Sequence, residues 1–152
     1  MRLTKGGDKM GMLDILRISS SGMKAQRTRM EAISTNLANV HSTKTEEGGP
    51  FRKKEVVFAP EDVSEETPFG SMLEHKMEGV KVEEIVESAK PFERTYDPYH
   101  PHADSDGYVS LPNVNVMEEM SDMVAATRAY EANVNVAGSV KQMFQKSLEI
   151  GQ

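Results

Sequence analysis

The sequence predicts a mainly α protein with a small β region, in which long N- and C-terminal helices pair as a coiled coil around a short-stranded, β-rich middle segment. Three observations carry this. A heptad stripe runs through Val116–Ile150, a second runs through Met12–Val40, and the stretch between them is poor in large apolar residues and broken by Pro, Gly and acidic runs. The expected division is a disordered leader at 1–11, an N-terminal helix at 12–40, a β/loop region at 41–115 and a C-terminal helix at 116–152.

The leader Met1–Gly11 is polar and glycine-containing, and Met12–Ile18 is too short and too charged to serve as a secretory apolar core. In the N-terminal helix Leu16, Met23, Met30 and Leu37 recur every seven residues, with Ile33 and Val40 in the companion position. Lys24, Ala25, Gln26, Arg27, Met30, Glu31 and Ala32 are good helix formers. Ser19–Gly22 is the weak point, where the spacing predicts a bend or a fresh start at a serine cap.

In the middle, Phe51–Ala59 is a β-prone run closed by Pro60, and acidic Glu61–Pro68 reads as a mobile loop. Phe69–Met77 and Val80–Glu87 are expected to pair across a Glu78-Gly79 turn. Tyr108–Leu111 is a further short strand. The sheet should be small and its core thin.

The C-terminal helix has the strongest pattern. Steps of four and three residues from Val116 meet Met120, Met123, Thr127, Tyr130, Val134, Ala137, Lys141, Phe144 and Leu148, and only Thr127 and Lys141 break the apolar stripe. Asn115 can cap the first turn, with Glu118 at capping-box spacing, and Gly151 stands where helices commonly stop. Such a helix is roughly 50 Å long at 1.5 Å per residue. A compact globule of this chain would be only about 40 Å across. Part of the stripe therefore needs a partner elsewhere in the chain or in other subunits. The residues expected at that interface are Leu16, Met23, Met30, Ile33, Leu37, Val40, Val116, Met120, Met123, Tyr130, Val134, Phe144 and Leu148.

Composition narrows the function. The net charge of −6 is uneven: Met12–Val40 carries +2, whereas Phe58–Pro98 holds eleven acids against four bases. The basic cluster lacks interleaved aromatics, so a nucleic-acid groove is not indicated; a solvated face, or one meeting acidic surfaces of neighbouring subunits, fits better. No apolar run approaches the ~20 residues of a membrane-spanning helix. The absence of cysteine excludes disulfides and thiolate-bound metals. In Asp97–Gly107 (DPYHPHADSDG), the side chains of His100, His102, Asp104 and Asp106 could converge on a metal. Read as a calcium loop, however, the segment has His in place of the first acid and Asn113 at the twelfth position. A rigid structural loop is the expectation. No phosphate loop, nucleophile elbow or acid–base pair is present, so neither catalysis nor a cofactor is expected.

Ser20–Val40 (SSGMKAQRTRMEAISTNLANV), with Thr43 following, resembles the N-terminal signature of the bacterial flagellar axial proteins. Arg128–Asn133 (RAYEAN) resembles their C-terminal signature, and Tyr96–Asn115 with Glu119-Met120 is similar to the proximal-rod branch of that family. Asn36, Asn39, His100, Pro101, Gly107, Tyr108, Pro112, Asn113, Arg128 and Asn133 carry the motifs; His102 departs from the acidic or polar residue usual there. The leader is longer than the family's, which makes Met10 or Met12 an alternative start. The resemblance implies a non-catalytic subunit that polymerises, with itself and other rod proteins, into a hollow shaft for torque transmission and export. It also implies contact with inner-membrane ring and rod-adaptor components, export by the flagellar type III apparatus without signal cleavage, and a periplasmic position. Asn36, Asn39, Asn113, Asn115, Asn133 and Asn135 would orient or cap helix ends and interfaces. The alternatives are another rod- or hook-type axial protein, a soluble coiled-coil adaptor, or a metal-dependent enzyme using the His/Asp loop.

Overall fold

The computed structural model describes residues 12–46, 48–62 and 78–150. The leader, Phe69–Met77, most of the acidic 61–68 stretch and the Gly151 stop lie outside the described residues. The order of elements is α1 (Met12–Ala38), β1 (Lys54–Asp62), β2 (Glu78–Glu87), β3 (Glu93–Tyr96), β4 (Tyr108–Leu111) and α2 (Val116–Ile150). At ~1.5 Å per residue, α2 spans about 52 Å and α1 about 40 Å.

The helices pack antiparallel, since Asn36 meets Glu119 near one end and Gly22 approaches Asn133 near the other. Small side chains permit the close approach: Ala25, Ala32 and Ile33 of α1 and Ala126 and Val140 of α2 are buried. At Gly22 a Cβ would lie 3.0 Å from the Asn133 amide. The glycine therefore serves the crossing rather than a break, and α1 runs without interruption through Ser19–Gly22. Ser21 explains the serines nearby. Its hydroxyl donates to the Ile18 carbonyl and accepts the Val80 amide, tying α1 to β2.

β1 and β2 form an antiparallel two-stranded ladder, and β3 and β4 form another. The Glu78-Gly79 turn expected from the sequence is not one. Both residues are in β2, opposite Asp62 and Glu61, and Gly79 is buried. Nor does Pro60 close β1, which continues to Asp62. Pro60 sits opposite Val80, whose amide points to Ser21 rather than across the ladder, so the amide proline lacks is not needed there. A bulge between Val57 and Phe58 in the pairing leaves Glu83 as the extra residue of β2.

Asn115 caps α2 as its spacing predicts. Its Oδ1 accepts the amides of Met117 at 3.0 Å and Glu118 at 3.2 Å, and its carbonyl accepts the Glu119 amide. Glu118 does not complete a capping box, because its carboxylate turns toward Lys53 and Lys90.

Candidate assembly interface

The site is built around a polar joint where α1, β1 and α2 meet. Asn36 and Glu119 are each only 1% exposed. The Asn36 amide donates to Glu119 Oε2 and to the Lys54 carbonyl, both at 2.9 Å, while its Oδ1 accepts the Lys54 amide at 2.8 Å. One side chain thus fixes the first residue of β1 and the first turn of α2 to α1. Lys53 Nζ lies 2.7 Å from Glu119 Oε1 and 3.7 Å from Glu118. That approach is ionic, as Oε1 has no well-angled donor. Burial alone would lower the Lys53 pKa; the carboxylates of Glu119, Glu118 and Glu55 outweigh it and hold the ammonium above its ordinary value. Asn113 completes the joint. Its Oδ1 accepts the Lys53 amide at 2.8 Å, and its amide donates to the Lys90 carbonyl at 2.9 Å. Arg29 pairs with Asp122 at 3.1 Å one helical turn further along.

The face of α2 that meets α1 is not the apolar stripe the sequence singles out. Glu119, Ala126 and Val140 are buried there, with half-buried Asn133 completing a seven-residue period. The stripe from Val116 to Val134 lies to one side. Val116, Met120 and Val134 are exposed, whereas Met123, Thr127 and Tyr130 are half-buried. In α1, Leu16, Met23, Met30 and Leu37 are half-buried in the same way, and Val40 follows just past the helix; only Ile33 is buried. The two stripes run along one flank of the helix pair, for the Thr127 hydroxyl reaches Met30 Sδ at 3.6 Å. The β1–β2 hairpin approaches α1 from the Ser21 side, which a 3.6-residue turn places away from that flank. Beyond Val140, every residue from Lys141 to Glu149 is exposed, including Phe144 at 53% and Leu148 at 57%. These two continue the line of buried α2 residues past the end of α1.

The 97–107 loop is closed by its own groups. Asp104 Oδ1 accepts the amides of Asp106 at 3.0 Å and Tyr108 at 2.8 Å, and Oδ2 pairs with Arg94. His100 Nδ1 accepts the His102 amide at 3.1 Å, and His102 Nδ1 lies 2.9 Å from the Thr43 hydroxyl. His100, His102 and Asp104 are thus engaged within the turns and with neighbouring segments, and among the described residues no three His, Asp or Glu side chains are grouped to hold a metal ion. Gly107 has φ +79°, and a Cβ there would sit 2.9 Å from the Tyr96 ring, so the motif glycine is required sterically. Tyr108 stacks edge-on against Tyr96; Pro101 and Arg128 are exposed, Pro112 is buried, and Asn39 accepts the Ser42 hydroxyl.

The Tyr108 amide, opposed by desolvation, holds the Asp104 carboxyl below its ordinary range, with the Asp106 amide and Arg94 assisting. The loop's stabilisation is therefore present above the usual carboxylate pKa of about 4 and is lost as pH falls through the depressed value. Exchange of the Asp106 and Tyr108 amides, followed by NMR, should accelerate only in that acidic window. Acceleration already present well above that window would overturn the assignment of the closure to Asp104.

Sequence reasoning passed over Lys53 and treated Glu119 only as part of a motif. The signal was the seven-residue spacing of Glu119, Ala126, Asn133 and Val140, masked because two of the four are polar. Among the described residues, no helix is long and apolar enough to cross a membrane.

Comparisons with known proteins match both ends of the chain. Residues 16–43 match the family described as flagella basal body rod protein, and residues 105–150 match the C-terminal family of flagellar basal body rod FlgEFG proteins. The flagellar basal-body rod protein FlgC of Borreliella burgdorferi is 41% identical, covering 94% of this chain and 99% of that protein. The corresponding Bacillus subtilis protein is 40% identical, over 90% of this chain and 96% of its own. That of Salmonella typhimurium is 39% identical, over 94% and 100%.

Proposed function

This chain belongs to the flagellar basal-body rod protein FlgC family, a group of non-enzymatic structural rod subunits that assemble with other rod proteins, and from that premise we propose that it polymerises through the open flank of its helix pair. The observation that carries the proposal is the alignment of two heptad stripes along one side of a folded monomer, half-covered in α1 and uncovered at Val116, Met120 and Val134. A neighbouring helix laid on that flank would bury it. Met23, Met30, Met120 and Met123 supply unbranched, polarizable side chains that repack against neighbours of different shape. That property suits a subunit that must meet both its own copies and sister rod proteins.

In this reading the helices form the shaft wall and residues 41–115 a separate outward part. The partners are further copies, other rod proteins and the inner-membrane ring and adaptor components at the shaft's base. The subunit crosses to the periplasm through the flagellar type III apparatus without losing a signal peptide.

The decisive experiment is incorporation into purified basal bodies of Met120→Asp and Val134→Asp. Both positions are exposed in the monomer, so helix content by circular dichroism should match the parent. Incorporation should fall at least about tenfold, because an ionised carboxylate in an apolar interface costs several kcal/mol. Normal incorporation of both variants would place the interface on another face.

A further inference from the structure

The β1–β2 hairpin carries seven acids against two lysines, a formal charge of −5. At the bulge, Glu83 and Glu84 are both exposed, so two adjacent carboxylates face solvent where a regular strand would send one to each side. Neither has an ion-pair partner among the described residues. On α1, Lys24 and Arg27 are exposed on the face turned away from α2. Lys24 has no ion-pair partner among the described residues, and Arg27 reaches only Glu31, at 3.7 Å with both side chains about two-thirds exposed. A single molecule thus presents unpaired acid at one place and basic charge at another.

We propose that these surfaces meet between copies: the carboxylates of Glu83 and Glu84 in one subunit dock on Lys24 and Arg27 of a second copy of this chain. The inference rests on the rod-subunit reading and adds the orientation of one contact. The two patches are different, so the contact is heterologous. Each copy keeps one patch free for the next, which generates a ring or a helical row rather than a closed dimer. Opposed charges also steer approach and reject a like-charged register. On α1, Arg27 stands four residues after Met23 and three before Met30, so the charge contact borders the apolar flank and extends its edge.

The absence of cysteine from the chain makes the test direct. Full-length Glu84→Cys is mixed with full-length Lys24→Cys at about 1 mM protein and low salt, then oxidised. The expected result is a cross-linked heterodimer, reduced at least about fivefold at 0.5 M salt, where screening is nearly complete beyond about 4 Å. Adding Glu83→Lys to the first chain should suppress it, and adding Arg27→Glu to the second should restore it. A yield no greater than that of Glu84→Cys mixed with Ser139→Cys, or one insensitive to both salt and charge reversal, would overturn the proposal. Loss of this cross-link with failed incorporation of Met120→Asp would sink the charge contact alone. Normal incorporation of the flank variants would count against the flank reading and leave this contact standing.

Discussion

Replacing Lys53 with methionine should destabilise the protein by about 3–5 kcal/mol, the usual consequence of leaving one member of a buried ion pair without its partner. Glu119 is 1% exposed, and its remaining support would be the Asn36 amide on Oε2. Oε1 would face only the new thioether. Urea denaturation followed by circular dichroism measures the loss directly. The double variant Lys53→Met/Glu119→Met should recover most of it, because removing both charges also removes both desolvation costs. A single variant as stable as the parent would mean that water reaches the joint and that the pair contributes nothing. The pH dependence has a defined sign. With its pKa raised, the Lys53 ammonium contributes fully below the ordinary lysine value of about 10.5, and that contribution is lost as pH rises through the higher folded value. The parent should therefore weaken at strongly alkaline pH in a way that Lys53→Met does not.

Phe144→Asp and Tyr130→Asp should both abolish rod assembly, but with different effects on the monomer. Phe144 is exposed on the overhanging end of α2, so its replacement should leave the urea midpoint unchanged. Each subunit in the assembly would then forgo about 1.5–3 kcal/mol of aromatic burial and meet an unpaired carboxylate. Tyr130 is half-buried beside the α1–α2 contact, so its replacement should also lower monomer stability, by about 1–3 kcal/mol. Glu131→Lys and Gln145→Lys serve as milder comparisons. Motility in soft agar and basal-body composition read the assembly defect; denaturation reads the monomer. If Phe144→Asp supports normal motility, the overhang is not part of the interface.

Much of the architecture is legible because its signals are local. The α2 boundaries follow from Pro112, the Asn115 cap and an apolar rhythm broken only at Thr127 and Lys141, and the structure reproduces Val116–Ile150. Tyr108–Leu111 is read correctly as a strand from its β-prone residues. Its partner Glu93–Tyr96 (ERTY) is exposed throughout, leaving no alternation to detect. Glu78-Gly79 misleads because glycine is usually punctuation. Here it is a buried strand position paired with Glu61. The packing face of α2 is missed for a related reason. Apolar periodicity finds what water avoids, whereas the α1-facing line includes a glutamate and an asparagine whose burial depends on partners far away in sequence. Nothing in the sequence near Glu119 announces that Lys53 and Asn36 will be waiting for it.

That separation governs the order in which the molecule can fold. Asn36 bonds to Glu119 across 83 residues, and Arg29 to Asp122 across 93. The turns within Asp97–Tyr108 close over a dozen residues or fewer and can form early. Closing the larger loops costs entropy before any helix–helix contact repays it, and chains dominated by distant contacts fold slowly. During synthesis α1 emerges long before α2, and an isolated helix of its length is marginal in water. Until Glu119 arrives, Asn36 has only the Lys54 backbone as a partner. Folding to completion is thus a late event, set by the meeting of the two ends rather than by the growth of either.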